Sequence, residues 1–176
     1  MRAETDDTRI RRYASKGVIL DSNLLIIYLV GLHDPKQIER FLPGSKQKGR
    51  IVCFATDFDV IKAFLLKYGV KKFIVTPHIL TEVSNITFAD FPDVRTQRYI
   101  KDAISFFKLA HEIPAHKKDL IDKAHLPKVG FSDSSIIETA KNEKCLVLTQ
   151  DLQCMKFLED EGCGVYNMNH LRMYRL

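Results

Sequence analysis

The chain has 176 residues, 45% hydrophobic and 28% charged, enough for one globular domain with a sizeable core and little for a second. The longest apolar stretch, about Asn23 to Val30, falls well short of the roughly 20 residues of a membrane span, and the charged first residues lack a signal core; the expectation is a cytoplasmic protein with no membrane partner. A formal net charge of +5 and a pI near 9.0 favour a polyanionic partner without naming one.

Residues 1–16 carry Arg9, Arg11, Arg12 and Lys16 without an apolar period. They read as a flexible basic N-terminal arm or a short peripheral helix, ahead of a domain spanning 17–176. Val18 to Leu20 is short and wholly apolar, as a buried central strand requires. A helix comes next over Ser22 to Val30, then a short one from Pro35 to Phe41 and a loop over Pro43 to Arg50. Ile61, Phe64, Leu65 and Tyr68 recur at helical spacing, and Gly69 stops that helix. Phe73 to Val75 is the second strand. Thr76 and Pro77 have the character of an N-cap and first-turn proline for the helix that carries Glu82.

A polar loop with Asp90, Pro92 and Asp93 leads to a long amphipathic helix marked by Tyr99, Ala103, Phe106, Phe107 and Ala110. An edge strand at Glu112 to Pro114 and a basic helical segment at Lys117 to Ala124 come after it. The last third reads as helix Ser132–Asn142, strand Cys145–Leu148, helix Leu152–Asp160 and strand Val165–Met168. Alternating strands and helices specify an α/β fold with a mostly parallel sheet, whose sites gather at the carboxyl ends of the strands. Cys53, Cys145, Cys154 and Cys163 form no C-x-x-C pair and lie among apolar residues, as reduced thiols do.

Four acids stand out against this background. Asp21 and Asp151 directly follow strands, Glu82 lies one helical turn beyond another, and Asp133 opens an apolar helix. Helical phase aligns Asp21 with Leu24, Leu25 and Tyr28, Asp133 with Ile136, Ile137 and Ala140, Asp151 with Cys154, Met155 and Leu158, and Glu82 beside Ile79, Val83 and Ile86. All four are therefore expected to face the protein. Singly, the three aspartates are better explained as helix N-caps and Glu82 as a surface residue. As a set, inward carboxylates from separate segments suit a hard divalent cation such as Mg²⁺ or Mn²⁺.

The ordered series, Asp21-Ser22-Asn23 after a strand, Pro77 before Glu82 in HILTEV, Ser132-Asp133 and Thr149-Gln150-Asp151, resembles the PIN-domain nucleases over about residues 17–168. The resemblance implies a three-layer α/β/α fold with a central, mostly parallel twisted sheet. It implies a metal-dependent endoribonuclease in which Mg²⁺ or Mn²⁺, held by Asp21, Glu82, Asp133 and Asp151, activates a water against an RNA phosphodiester. Asn23 would brace the site, and Ser22 or Thr149 would hold a carboxylate or water. It also implies use as a toxin or defence effector like the VapC-type toxins, an inhibitory antitoxin-like protein partner, and a homodimer.

Two departures are visible. Where the family often carries a further acid two positions after the last one, this chain has Gln153, which favours one metal over two. The chain also has extra sequence over about His33 to Lys72. Lys46, Lys48 and Arg50, Lys71 and Lys72, and Lys117, Lys118, Lys123 and Lys128 are candidate phosphate contacts. The rival readings are a non-catalytic PIN-like module that binds RNA or protein, and a phosphatase or phosphoacceptor. The latter lacks a tight Asp-x-Asp pair after the first strand and a partner lysine after a late one.

Overall fold

The computed structural model describes residues 6–38, 55–90 and 94–170. In chain order these form α1 (Asp6–Ala14), β1 (Val18–Leu20), α2 (Ser22–His33), a 3-10 turn (Pro35–Gln37), α3 (Ala55–Lys67), β2 (Ile74–Val75), α4 (Pro77–Asp90), α5 (Val94–Leu109), β3 (His111–Glu112), α6 (Lys117–Leu120), α7 (Leu126–Glu143), β4 (Leu146–Thr149), α8 (Leu152–Asp160) and β5 (Gly164–Asn167). No helix among the described residues is long and apolar enough to cross a membrane.

Val18, Ile19 and Leu20 are at most 3% exposed because β1 is flanked on both sides. It pairs in parallel with β4, Val18 opposite Leu146 and Leu20 opposite Leu148, and a parallel bridge from Val18 to Phe73 joins it to β2. β2 runs parallel to β3, and β4 to β5. The strand order is therefore β3-β2-β1-β4-β5, with every described pairing parallel. Between β1 and β4 the winding reverses: the chain steps outward from β1 to β2 and β3, then returns to β4 on the other side. In open α/β sheets the crevice outside the carboxyl ends at such a reversal is where ligands bind.

Helices cover both faces, an arrangement compatible with three layers. Alternation puts Gly164 and Tyr166 of β5 on one face, where they meet Tyr13 of α1 and, at 4.9 Å between ring centroids, Phe64 of α3. Asn167 points to the other face, where its Nδ2 lies 3.6 Å from Met155 Sδ of α8. α2 packs against α3, α4 and α5, and α7 against α4, α6 and α8. Where α2 crosses α3 the backbones come unusually close. A Cβ added to Gly31 would lie 2.1 Å from the Phe58 ring, so only glycine admits this approach. Tyr28 sits in the adjoining aromatic cluster, 5.6 Å from Phe73 and 5.8 Å from Phe106.

Several expectations are corrected or refined. Of the two readings of the N-terminal segment, flexible arm or short peripheral helix, residues 6–14 take the helix, and it is packed against the body. Ile10 and Ala14 are buried, Tyr13 donates through its hydroxyl to Gly162 O at 3.0 Å, and Arg9 to Cys163 O at 3.3 Å. Arg11 pairs with Asp7 at 2.9 Å, so these cations serve the fold. The extra segment contributes to the core too, since Phe58, Val60, Ile61, Phe64 and Leu65 of α3 are all buried. The remainder of the helix expected from Pro35 to Phe41, and the loop after it, lie largely outside the described residues.

Helix α7 starts at Leu126, six residues before the expected Ser132, because Pro127 suits a first turn. The path then breaks at Gly130, whose φ of 78° and ψ of −178° suit glycine. The restarted helix is the part whose apolar period is visible in sequence. Cys145, Cys154 and Cys163 are buried free thiols, and burial pushes Cys145 up to about 12 and Cys163 to about 11. Cys53 lies outside the described residues.

Candidate functional site

The parallel register of β1 and β4 brings the residues just beyond the two strands side by side. Asp21 comes one residue after Leu20, whose partner is Leu148, and so arrives beside Thr149. Asp21 is 5% exposed and its carboxylate is closely held: Oδ1 accepts from Leu24 N–H at 2.8 Å, Oδ2 from Gln150 N–H at 3.1 Å, and the Thr149 hydroxyl also donates to it. Asp21 thereby caps α2 and ties β1 to β4. Thr149 Oγ1 in turn accepts from Asp151 N–H at 2.9 Å. Asp151 caps α8, its Oδ1 accepting from Gln153 N–H at 2.6 Å and Cys154 N–H at 2.9 Å.

The other two acids come from helices. Ser22 Oγ donates to Glu82 Oε2 at 2.7 Å, linking the first turn of α2 to α4. Asp133 lies on α7, and the buried Cys154 thiol donates to it. Thr76 Oγ1 and Ser135 Oγ, 2.8 Å apart and buried, stitch the start of α4 to α7. Thr76 also caps α4 by accepting from Ile79 N–H at 3.3 Å.

Electrostatics show that the four carboxylates share one field. Asp133 is pushed up to about 7, first by burial and then by the charges of Asp151, Asp21 and Glu82. Asp21 is also raised, chiefly by burial, against the hydrogen bonds that lower it, with Asp151 adding to the rise. Proximity at this level is not coordination. Among the described residues, no three His, Cys, Asp or Glu side chains are drawn together tightly enough to hold a metal ion. The Coulombic coupling is the better guide to which residues belong together, because it acts across several ångströms.

The expectation that all four acids face inward holds unevenly. Asp21 is buried, Glu82 and Asp133 are half-buried, and Asp151 is exposed. A residue at an N-cap precedes the helix, so helical phase does not govern its direction. Asn23 is half-buried on the first turn of α2. Ser22 and Thr149 both hold carboxylates.

The basic groove expected from sequence is redistributed. Lys117 and Lys118 are exposed on α6, and Lys128 is exposed with its ammonium 5.6 Å from the Phe157 ring centroid. Lys123 bonds Glu138 Oε2 at 2.6 Å. Lys71 and Lys72 precede β2, and Val18 N–H donates to Lys72 O at 2.9 Å, so both lie at the amino end of the sheet, opposite the acids. Lys46, Lys48 and Arg50 lie outside the described residues.

Sequence reasoning missed Cys154 and Gln150. The first comes one helical turn after the last acid, which places its thiol under Asp133, and in sequence it is legible only as a core cysteine. The second is 4% exposed, with its Oε1 buried and without a hydrogen-bond partner among the described residues, as is Ser132 Oγ beside Asp133. Replacing Thr149 by valine removes a donor from Asp21 and an acceptor from Asp151 N–H in one step. The expected cost is about 1–3 kcal/mol in urea unfolding, whereas Thr149→Ser should recover most of it.

The fold and the site together define a parallel α/β protein with four acids around its winding reversal. No protein-family model, curated protein or solved structure matches the chain.

Proposed function

We propose that this protein is a PIN-like, metal-dependent endoribonuclease with a three-layer α/β/α fold. The observation that carries the reading is the meeting of Asp21, Glu82, Asp133 and Asp151, from four separate segments, in one electrostatic field at the carboxyl ends of β1 and β4. The chemistry of the donor set suits Mg²⁺ or Mn²⁺, and binding would have to draw the carboxylates closer than they stand, since no three of them are within reach of one ion among the described residues. The four acids offer hard oxygens, Asp133 is pushed up to about 7 by burial and its neighbours' charge, and Ser132 Oγ and Gln150 Oε1 are buried without partners among the described residues. Asp21, Glu82, Asp133 and Asp151 would hold the ion. When bound, it supplies charge neutralisation and a water of lowered pKa for attack on a phosphodiester.

The chain's own residues do the positioning. Backbone amides of Leu24 and Gln150 fix Asp21, Ser22 fixes Glu82, and the amides of Gln153 and Cys154 fix Asp151. Asp133 has no such backbone clamp among the described contacts and is raised by the charges of all three other acids, so it is the group whose charge changes most on loading. Gln153 uses its amide N–H for the cap while its side chain lies 3.5 Å from Lys128 O, a neutral group where a fifth carboxylate would stand. One ion fits this set better than two.

An RNA substrate, and use as a toxin or defence effector with an inhibitory protein partner, rest on the sequence resemblance. Incubating purified protein with labelled single-stranded RNA and Mn²⁺, with and without excess EDTA, tests the central claim. Metal-dependent internal cleavage is expected; equal cleavage in EDTA sinks it. One specific observation favours a second reading, a non-catalytic PIN-like module that binds RNA or protein. Asp21 and Asp151 both have their carboxylates engaged by backbone N–H groups as helix caps, the arrangement that stability alone would select. RNA binding with no cleavage under any divalent metal would support it.

A further inference from the structure

A pair of rings on the two helices that carry Glu82 and Asp133 takes no part in the chemistry above. His78 and Phe131 are stacked, their centroids 5.9 Å apart and their planes 20° from parallel. Phe131 is 44% exposed, a large apolar area to leave in water. His78 precedes Glu82 by one helical turn and shares its face of α4, and Phe131 opens the restarted part of α7 two positions ahead of Asp133.

The rings are held in place from both sides. His78 Nε2 lies 3.1 Å from Ala115 O, so with the proton on that nitrogen the ring donates to the carbonyl and its plane is fixed. Gly130, at a φ of 78°, breaks α7 immediately before Phe131 and sets where the restarted helix begins. A Cβ there would meet nothing within 4 Å, so the glycine serves backbone conformation rather than space. The bond between Thr76 and Ser135 keeps the two ring-bearing segments together.

The same bond from His78 to Ala115 brings a basic stretch alongside. His116, Lys117 and Lys118 come directly after Ala115, and all three are exposed. An aromatic face with one open side, flanked by cations and adjoining a cluster of acids, matches the needs of one ligand chemistry. A nucleobase stacks on the ring, its phosphates lie against the lysines, and a neighbouring phosphodiester reaches the acids.

We propose that the Phe131–His78 stack is a nucleobase platform that seats one unpaired base of a single-stranded nucleic acid next to the acidic site. The platform rests on the nuclease reading for its substrate class, but its binding role is separable from cleavage. A base paired in a duplex is stacked on its neighbours and has no free face to offer, so the platform selects single-stranded segments.

The chain contains no tryptophan, which gives a direct readout. In full-length Phe131→Trp, the single indole should lose emission on addition of oligouridine RNA, and lose much less with an abasic oligomer of the same length. Phe131→Ala should weaken oligouridine binding and raise KM by roughly 5- to 150-fold, with much the smaller effect on kcat, and Phe131→Tyr should restore both. Because Phe131 is exposed, circular dichroism of Phe131→Ala should match the parent.

Unchanged binding and KM in Phe131→Ala, or equal quenching by the abasic oligomer, overturns the platform. Metal-dependent cleavage by the parent in that case leaves the nuclease reading intact. Conversely, Phe131-dependent binding in a parent that cleaves nothing under Mn²⁺ or Mg²⁺ upholds the platform and removes the nuclease reading.

Discussion

Asp133→Asn should lower Mn²⁺-dependent RNA cleavage by about 100-fold or more while making the metal-free protein more stable at pH 8. The two effects have one cause. Asp133 has its ordinary value of 3.8 when unfolded and about 7 when folded, raised by burial and then by Asp151, Asp21 and Glu82. Between about pH 4 and pH 7 the folded state therefore holds a proton that the unfolded state has released. The stability contributed by this group is complete below the lower value and is lost as pH rises through the upper one.

Asparagine keeps the shape and cannot ionise, so its gain over aspartate grows across the same interval. Discounted for the partial exposure of Asp133, the gain at pH 8 is of order 1–3 kcal/mol. Thermal unfolding in EDTA at pH 5 and pH 8 measures it, and single-turnover cleavage measures the loss of activity. Mn²⁺ should raise the melting temperature of the parent and leave that of the variant nearly unchanged. A variant that cleaves like the parent would remove Asp133 from the site.

Asp21→Asn is the less clean partner experiment. Asp21 receives N–H donors on both oxygens, and an asparagine must turn its own NH₂ towards one of them. Loss of activity would then be mixed with loss of stability.

Gly31→Ala should destabilise the protein by about 1–3 kcal/mol or more, an effect large for the addition of one methyl group. The new carbon would stand 2.1 Å from the Phe58 ring and 2.8 Å from its Cβ, distances that no rotamer adjustment of alanine can relieve. Phe58 is itself 6% exposed and in contact with Tyr28, so α2 and α3 must move apart. Truncating the obstacle should compensate. In Gly31→Ala with Phe58→Leu, the penalty of the alanine should be smaller than in the parent, giving a coupling energy in a double-mutant cycle. An additive pair would show that the contact is not what holds the helices at this spacing.

Legibility in the sequence divides along the range of the physical signal. Alternating strands and helices are legible because each element has its own local pattern: the apolar triplet before Asp21, the Thr76-Pro77 start, the stripe of α3 ended by Gly69. The carboxyl-end placement of Asp21 and Asp151 comes directly from those elements. The features that are not legible depend on partners distant in the chain. The first residues lack an apolar period, yet Ile10, Tyr13 and Ala14 find β5 and the turn after α8. Cap geometry overrides helical phase at Asp151, and Lys71 and Lys72 fall at the wrong end of the sheet because sequence proximity to a strand does not state which end faces the site. His78 and Phe131 are 53 positions apart and carry no pattern that relates them.

The bond from Gln150 N–H to Asp21 spans 129 positions, and Thr149 reaches the same carboxylate. Contacts this remote close late, since a long loop must be ordered before they return any energy. During synthesis Asp21, Glu82 and Asp133 all precede β4, and the amide and hydroxyl that steady Asp21 do not exist until that strand has been made and has slotted in beside β1. The acidic cluster is thus a reporter of completed folding. A ribosome-bound chain arrested ahead of Leu146 holds three of the four carboxylates and no assembled centre.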